Sequence, residues 1–339
     1  MSKKHYKSNY LTIIGSFRWW LIGIVVIFSL PYFAPVGIIR ILIFAAYLSI
    51  FAMSWDLMSG YTGYISFGHP FLIALASYVT AILCYRGAFQ PPHIILPIYI
   101  TIPLGIAASV VGGLLVFLPS MRVRGPFFSL ISLAYVEILS RLLIVVHPEY
   151  TGGDRGLPNL PSIVRGAIPN YYLAFGLMFI IGIGLWFVTR SDVGIVLKAI
   201  RLDEDVVESS GINTYKFKLF AFILSAVVAG IGGAFYVHYL GSLGPRRALG
   251  TDFLLEIIIA AVIGGMGTIT GPIFGAFFVT IILEYLRPYL FGQWRFLVYS
   301  LIALLIIIYK PRGFYGIAQD IRNWFSRISR RKAGDKVYD

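Results

Sequence analysis

Among the ionisable side chains inside long apolar stretches of this chain, five are candidates for chemistry. They are Asp56, Glu137, His238, Glu256 and Glu284. In lipid-like surroundings such residues commonly contact a solute, bind an ion or relay protons. They can equally lie near helix ends or pair with a neighbouring helix for structural reasons. Because no proton-relay spacing links them, both interpretations stay open, with Asp56 and Glu256 as the leading functional candidates.

Two glycine-rich segments interrupt apolar stretches in opposite halves of the chain. The first contains Gly60, Thr62, Gly63, Ser66, Gly68 and His69 and leads into a proline. The second contains Gly264, Gly265, Gly267, Thr268 and Gly271, again followed by a proline. Small residues here are compatible with close helix packing. Combined with proline, they predict helix breaks whose backbone polar groups need protein or a water-lined path. We therefore interpret both segments as candidate parts of a translocation path.

Residue patterns that support catalysis or nucleotide binding are missing from the sequence. It contains no Gly-x-x-x-x-Gly-Lys-Ser/Thr loop to hold phosphates and no His-Glu-x-x-His pair to bind zinc. The single cysteine, Cys84, lies in an apolar stretch without neighbouring metal ligands, and we interpret it as a packing residue. We expect this chain to be neither an enzyme nor the binder of a cofactor.

The composition indicates which elements must carry these residues. Of 339 residues, 58% are hydrophobic and 13% are charged, whereas a soluble domain has about 25% charged residues. The apolar residues form blocks of roughly 17–25 residues, the length of a helix that crosses the hydrocarbon core of a bilayer. The sequence lacks the strict alternation of a membrane barrel. The pattern therefore predicts an all-α polytopic transmembrane helix bundle.

We predict about ten spans in this bundle. Their approximate bounds are 19–35, 38–58, 65–85, 93–118, 126–146, 171–189, 219–240, 253–270, 272–290 and 294–310. The net charge of +13 is concentrated in Lys and Arg at the ends of spans, which favours two cytoplasmic termini rather than a nucleic-acid partner. The predicted organisation is a basic segment over 1–18, a transmembrane domain over 19–310 and a basic tail over 311–339.

The connection over 190–218 is too polar to enter a bilayer and is predicted to be helical. Val193, Leu197, Ile200, Glu204 and Val207 fall on one stripe, which only Glu204 interrupts. Ser191 and Asp192 suit the start of a single helix of some five turns, and Gly211 suits its end. Such a helix can lie on the membrane surface or dock its apolar stripe into a partner. The balanced charge of the segment favours docking.

Several short motifs then follow one another along the chain. Gly60-Tyr61-Thr62-Gly63 is followed by Ser66-Phe67-Gly68-His69. Further motifs are Arg122-Val123-Arg124-Gly125, Thr151-Gly152-Gly153, Leu197-Lys198-Ala199-Ile200-Arg201, Gly211-Ile212-Asn213, Gly264-Gly265-Met266-Gly267-Thr268 and Pro311-Arg312-Gly313. This ordered series, spanning roughly residues 45–315, resembles the LivM-type permease subunits of branched-chain amino acid ABC transporters.

The resemblance implies a multisubunit importer in a prokaryotic plasma membrane. Family members pair with a homologous LivH-type permease, are powered by two cytoplasmic ATPases that bind the ATP, and receive solute from an extracytoplasmic binding protein. By the same resemblance, the helix over 191–211 is the coupling helix. Its contacts with the ATPase would come from Lys198, Ala199, Ile200, Arg201, Glu208 and Gly211.

Departures from the family pattern leave the substrate open. Tyr64-Ile65 stands where relatives often have a polar residue followed by Leu, and Asp154-Arg155 follows Thr151-Gly152-Gly153 where smaller polar residues are commoner. Relatives of this subunit also serve urea and short amides. The leading hypothesis is the membrane subunit of an ATP-driven importer. The alternatives are a stand-alone secondary transporter or channel that uses the intramembrane acids, and a membrane-embedded lipid enzyme.

Overall fold

A computed structural model describes residues 27–85, 95–120, 123, 126–146, 148–289, 294–309, 313 and 316. The predicted segments 1–18 and 311–339 therefore lie outside the described residues, apart from single positions in the tail. The first predicted span, 19–35, is described only from residue 27, and residues 27–33 are helical. Throughout the described part of the chain, every regular element is a helix, and one antiparallel bridge joins Leu157 to Leu243.

Four long helices form the first half of the bundle. They are α1 (Val36–Trp55), α2 (His69–Cys84), α3 (Ile98–Ser120) and α4 (Pro126–Val145). Pro35 immediately precedes α1, and Pro70 lies in the first turn of α2. The missing N–H of proline is tolerated at both positions. At its end, α1 widens into a π-helical turn over Asp56–Gly60. A short helix, Pro148–Thr151, and a 3-10 turn, Gly153–Arg155, follow α4.

Seven further helices follow in the second half. They are α5 (Ala167–Arg190), α6 (Asp192–Leu202), α7 (Glu204–Ser209), α8 (Thr214–Leu240), α9 (Thr251–Gly264), α10 (Thr270–Leu286) and α11 (Trp294–Tyr309), with a short helix Pro245–Ala248 between α8 and α9. The side chain of Asn213 accepts a hydrogen bond from the amide of Lys216 and caps α8. Gly241, with φ of 69°, ends α8 in the left-handed conformation that glycine adopts readily.

Helices α1 and α8 form the centre of the bundle. Both are apolar on all sides and are largely covered by α2, α3, α5, α9 and α10. Aromatic rings join the two, since Tyr47 and Phe51 of α1 lie 5.1 and 5.7 Å from the ring of Tyr236 in α8. A helix that is hydrophobic all round is typical of the interior of a membrane protein, and here it provides the frame for the polar contacts described below.

The structure confirms the apolar helices and corrects their lengths. Five segments are long and apolar enough to cross a bilayer: Val36–Gly60, Ile98–Ser120, Phe127–Val145, Ala167–Arg190 and Thr214–Leu240. The helices α2 and α9 are shorter than the predicted spans 65–85 and 253–270, because each adjoins a glycine-rich segment that leaves the helical path. Helix α10 ends at Leu286 rather than at the predicted 290. We name the two glycine-rich segments the first break (residues 60–68) and the second break (residues 265–269).

The prediction of one continuous helix over 191–211 is wrong. The segment forms two helices, α6 and α7, separated at Asp203, whose φ of −162° is extended rather than helical. The Asp203 carboxylate accepts hydrogen bonds from the amides of Asp205 and Val206, at 3.0 and 3.1 Å. An N-cap of this kind competes with helix continuation, so an aspartate in the middle of the pattern divides the helix in two.

Candidate functional site

The first break is held by side chains that satisfy its exposed backbone groups. Trp55 Nε1 donates to the carbonyl of Ser66 at 2.7 Å, and Ser59 Oγ accepts from the Ser66 amide at 3.0 Å. From α4, Ser129 Oγ donates to the carbonyl of Ile65 at 2.6 Å. Because the backbone polar groups find protein partners, this irregular segment is compatible with a position inside a membrane protein.

The second break packs directly against the first. The amide N–H of Gly267 donates to Oδ1 of Asp56 at 2.7 Å. Gly267 has φ of 77°, and a Cβ atom there would lie 3.1 Å from the carbonyl oxygen of Gly60. A Cβ atom on Gly60 would in turn lie 2.7 Å from the amide nitrogen of Gly267. The glycines are therefore required for close approach of two backbones that are far apart in sequence.

Helix α6 completes this contact from the polar connection. Arg201 Nη1 donates a hydrogen bond to the carbonyl of Gly60, and a Cβ atom on Gly267 would lie 2.6 Å from the same nitrogen. One turn earlier, the ammonium of Lys198 lies 5.2 Å from the centre of the Tyr61 ring, a cation–π contact. We name Asp56, Gly60, Gly267 and Arg201 the junction. It brings both breaks and the predicted coupling helix together.

Asp56 is the buried acidic residue of the junction. Its side chain is fully buried in the π-helical turn, and Oδ2 has no hydrogen-bond partner among the described residues. The cations of Arg201 and Lys198 interact electrostatically with this carboxylate. π-Helical turns inside α-helices are frequently found at functional sites. The predicted intramembrane acid Asp56 thus lies in a defined environment, with a hydrogen bond from the second break and two basic side chains of α6 nearby.

A second polar cluster fixes α7 to the start of α8. Lys218 and Glu204 form an ion pair whose side chains are 6% and 14% exposed. Tyr64 of the first break donates its hydroxyl to Glu204 Oε2 at 2.7 Å, and Thr214 donates to Oε1 at 3.0 Å. Burial by itself would raise the pKa of Glu204, but the hydrogen bonds from Lys218 and Tyr64 outweigh it and lower that pKa. This cluster was not predicted from the sequence. The feature that could have indicated it is Glu204, an acidic residue on an otherwise apolar stripe.

The apolar stripe of α6 and α7 points into the bundle, which corrects the prediction that it docks into a partner. Leu197, Ile200 and Val207 are buried against the rest of this chain. Ile200 therefore packs internally instead of facing an ATPase. The outward face carries other apolar side chains, among them Leu202 and Val206, which are 87% and 59% exposed.

The remaining residues predicted for coupling differ in exposure. Lys198, Arg201, Glu208 and Gly211 are exposed, and Ala199 is half-buried. Gly211 has φ of 83° with open space around it, so its role is to end α7 rather than to allow a close contact. The exposed surface of α6 and α7 is thus mixed, with apolar and charged groups side by side.

Residues of the first glycine-rich segment separate into two groups. Thr62 and Gly63 line an open groove together with Arg201 and Glu204. His69 lies inside the bundle, where Nε2 is 3.0 Å from Ser225 Oγ of α8, and Ser225 also hydrogen-bonds Ser54 of α1. Ser66 and Gly68 are engaged in the local turn, because Ser66 Oγ accepts from the Gly68 amide at 3.2 Å. His69 thus connects α2 to α8 and, through Ser225, to α1, whereas Ser66 and Gly68 shape the turn before α2.

Residues of the second glycine-rich segment fold the chain between α9 and α10. Thr268 Oγ1 donates to the carbonyl of Gly265 at 2.7 Å and accepts from the amide of Gly271 at 3.2 Å. Gly264 and Gly271 face each other so closely that a Cβ atom on either would overlap backbone atoms of the other helix. The segment therefore combines close packing with a hydrogen-bonded turn, so both interpretations of the sequence apply to it.

The other predicted ionisable residues lie outside the junction, and two of them share a cavity. Glu256 lines a cavity of about 340 Å³ with Arg247 and Tyr236, at the end of the bundle opposite α6. Glu137 is exposed on α4 and pairs with Arg141. Glu284 pairs with Arg287 near the end of α10. His238 Nδ1 donates to the Pro161 carbonyl at 2.6 Å. Glu256 and Glu284 also line one open cavity of about 550 Å³ with Arg40, Arg247 and Arg287, whereas Glu137 and His238 lie elsewhere. The described part of the chain contains no cluster of three or more metal ligands.

Comparison with known proteins identifies the family of this chain. Residues 37–309 match the family described as branched-chain amino acid transport system / permease component. The chain is 24% identical over 322 residues to the high-affinity branched-chain amino acid transport system permease protein LivM of Salmonella typhimurium, which covers 86% of this chain and 72% of that protein. No solved structure shows significant similarity.

Two further relatives broaden the comparison. The chain is 27% identical over 193 residues to a probable branched-chain amino acid transport permease protein LivH of Methanocaldococcus jannaschii, covering 54% of this chain and 58% of that protein. It is 24% identical over 229 residues to the ribose import permease protein RbsC of Haemophilus influenzae, covering 63% and 70%. Because the family match extends over most of the chain, this protein belongs to the branched-chain amino acid transport system permease family and is a multi-pass membrane permease of the ABC importer class.

Proposed function

We propose that this chain carries branched-chain or related apolar amino acids across a prokaryotic plasma membrane as one of two homologous permease subunits. The substrate class is supported by relatives that are named as branched-chain amino acid permeases. A ribose import permease is also similar to this chain, so the substrate does not follow from the family name alone. The observation that carries the proposal is the junction, where Arg201 of the polar connection hydrogen-bonds the broken end of α1.

The proposed topology has ten crossings and two cytoplasmic termini. In this arrangement the end of the bundle that carries α6 and α7 faces the cytoplasm, and the cavity beside Glu256 faces outward. Consecutive long helices alternate between the two ends, as a chain with short connections requires.

The proposed coupling mechanism uses both faces of α6 and α7. The exposed face, with Leu202 and Val206 beside Lys198, Ala199, Glu208 and Gly211, would dock on a cytoplasmic ATPase. The inner face transmits movement, since Arg201 contacts the first break and the Glu204–Lys218 pair ties α7 to α8. A rigid displacement of α6 then moves the backbone of both breaks, because Gly267 and Gly60 are in direct contact.

The proposed assembly supplies what this chain does not. Two ATPases bind and hydrolyse ATP, an extracytoplasmic binding protein delivers the solute, and a LivH-type permease completes the path. The chain itself is proposed to hold no cofactor and to catalyse no reaction. Glycines of the two breaks, including Gly63 and Gly265, would shape the cytoplasmic end of the path.

Affinity purification in mild detergent followed by reconstitution tests this function. We expect a tagged chain to bring down a homologous permease and two ATP-binding subunits, and the complex to accumulate leucine, isoleucine or valine in proteoliposomes only with ATP. Transport by the purified chain alone, without ATP and with a coupled ion, would instead identify a secondary transporter. A complex that hydrolyses ATP but accumulates only ribose would retain the permease role and replace the proposed substrate.

A further inference from the structure

Helix α4 lies at the periphery of the bundle and is anchored at its two ends. Near its start, Ser129 and Ser132 hydrogen-bond the first break, with Ser132 Oγ accepting from the Phe67 amide at 2.9 Å. Near its end, the carbonyl of Leu143 accepts from Thr151 Oγ1 at 2.6 Å. Between the anchors one continuous stripe faces away from this chain. It consists of Phe127, Leu130, Leu133, Ala134, Glu137, Ile138, Arg141, Leu142 and Val145.

An ion pair interrupts this otherwise apolar stripe. Arg141 Nε lies 3.0 Å from Glu137 Oε1, and the two side chains are 77% and 66% exposed. Within the span Phe127–Val145, Glu137 lies ten residues from one end and eight from the other. At about 1.5 Å per residue, its Cα is roughly 15 and 12 Å from the two ends of the helix. The carboxylate is therefore close to the middle of the span.

The orientation of Arg141 is the opposite of snorkelling. A lipid-facing arginine one turn from a helix end normally extends its side chain toward that end, where the headgroups are. Here the guanidinium bends back toward the preceding turn and meets Glu137, which carries the positive charge deeper into the span. This geometry is expected where the deep surface of α4 adjoins water or polar protein groups, because hydrocarbon would strongly disfavour it.

The exposed face of α5 provides an internal comparison. Ile180, Ile183 and Phe187 are 71%, 56% and 65% exposed along α5. This stripe is shorter than that of α4 and is apolar at each of these positions, as a surface covered by lipid should be. The contrast indicates that the two surfaces have different surroundings in the assembled protein.

We propose that the Glu137 stripe of α4 faces the second, homologous permease across a water-filled path, and that the Glu137–Arg141 pair contacts the zwitterionic head of an amino acid as it passes. This inference rests on the proposed function. The pair presents both charges that an α-amino acid needs, a carboxylate for its ammonium and a guanidinium for its carboxylate. Ala134, Ile138 and Leu142 flank the pair and offer apolar contact to an aliphatic side chain.

Cysteine labelling of the whole transporter in membrane vesicles tests the water-filled path. Cys84 is first replaced by alanine, and single cysteines are placed as Ala134→Cys and Ile138→Cys on α4 and as Ile180→Cys on α5. With a small hydrophilic thiol reagent, we expect the α4 cysteines to react at least about tenfold faster than the α5 control, since the reactive thiolate forms in water. Reaction of the α4 cysteines as slowly as Ile180→Cys overturns the proposed path.

Neutralising the pair tests contact with the solute. Glu137→Gln and Arg141→Gln are compared with Arg287→Gln, which removes the similarly exposed intrahelical pair with Glu284 near the end of α10. We expect each α4 variant to lower the ratio of uptake rate to Michaelis constant for leucine about 10- to 100-fold, the range for one charge-assisted hydrogen bond, and the control to leave it within about twofold. Equal uptake by all variants overturns the contact with the zwitterion.

These measurements separate this inference from the proposed function. If the wild-type complex accumulates no leucine, isoleucine or valine with ATP, the proposed substrate class fails, and the labelling rates still decide whether α4 adjoins water. If it accumulates them while both α4 tests are negative, the function stands and the path lies elsewhere.

Discussion

The amide of Gly267 lies 2.7 Å from the carboxylate oxygen Oδ1 of Asp56, although 211 residues separate them in the chain. This hydrogen bond joins the end of α1 to the turn between α9 and α10. Arg201 of α6 reaches the same place through the carbonyl of Gly60. The junction thus ties the end of α1, the second break and α6 to one another.

Replacing Gly267 by alanine should damage the junction. Its φ of 77° is unfavourable for alanine by roughly 1–2 kcal/mol. The added Cβ would also press on Arg201 and on the Gly60 carbonyl, adding about 1–3 kcal/mol of overpacking. We expect a lower melting temperature in detergent and reduced ATP-dependent uptake.

Two glycine controls separate these contributions to the Gly267→Ala effect. Gly211→Ala has the same backbone strain, with φ of 83°, but open space around the new Cβ. Gly176→Ala on α5 has neither strain nor crowding, and we expect it to be neutral or stabilising by up to about 1 kcal/mol. Equal melting temperatures for Gly267→Ala and Gly176→Ala would disprove the close contact between the breaks.

Replacement of Asp56 should distinguish a structural acceptor from an ion-coupling acid. Asparagine retains an oxygen for the Gly267 amide, whereas alanine leaves that buried donor without its partner, a loss of about 1–3 kcal/mol. We therefore expect Asp56→Asn to keep most of the thermal stability and Asp56→Ala to lose it. In proteoliposomes, uptake by Asp56→Asn should remain strictly ATP-dependent. Loss of uptake together with a changed dependence on pH or sodium would favour the secondary-transporter alternative.

Removing the guanidinium of Arg201 should uncouple ATP hydrolysis from transport. Arg201→Ala deletes the hydrogen bond from α6 to the Gly60 carbonyl but leaves the exposed apolar groups of α6 and α7 in place. We expect the complex to assemble and hydrolyse ATP while the amount of amino acid imported per ATP falls about tenfold, the effect of losing one charge-assisted hydrogen bond. Arg190→Ala, which removes a cation–π contact with Trp186, serves as the matched control. Normal import per ATP in Arg201→Ala would exclude this coupling route.

Removing only Lys218 from the Glu204–Lys218 pair should cost more stability than replacing both residues, as expected for a buried ion pair. Lys218→Met alone leaves the Glu204 carboxylate without its ammonium partner in a site that is 14% exposed, and should destabilise the chain by about 3 kcal/mol. The double variant Glu204→Gln with Lys218→Met should recover much of that loss. Melting temperatures of both variants measure the effect, and an additive result would show that the two side chains act independently.

The same pair predicts how stability depends on pH. Because the folded protein lowers the pKa of Glu204, its stabilising contribution is complete above the unfolded pKa of about 4.3. That contribution disappears as the pH falls through the lower folded pKa. We expect the difference in melting temperature between wild type and Glu204→Gln to be constant near neutral pH and to shrink below about pH 4. A difference that grows with acidification would contradict the sign of the shift.

Local features of the fold follow from the sequence because hydrophobic length and helix-breaking residues act over short distances. Blocks of apolar residues determine helices, and glycine with proline before α2 and within α9–α10 determines where they are interrupted. The ordered motifs also identify the family, since they depend on residue types alone. Asp203 shows the limit of such reasoning. It is one capping residue in an amphipathic pattern, and it divided a helix that periodicity predicted to be continuous.

Contacts between distant elements were decided only by the tertiary structure. The stripe of Leu197, Ile200 and Val207 has the same period whether it faces a partner or its own bundle, and only packing turned it inward. The bond from Gly267 to Asp56 and the pairing of Glu204 with Lys218 depend on where whole helices lie, so no local pattern encodes them. The sequence by itself determined a membrane-spanning permease with two breaks. The tertiary structure decided that those breaks meet each other beneath α6, because close approach of backbones requires helices to be packed before their glycines can come into contact.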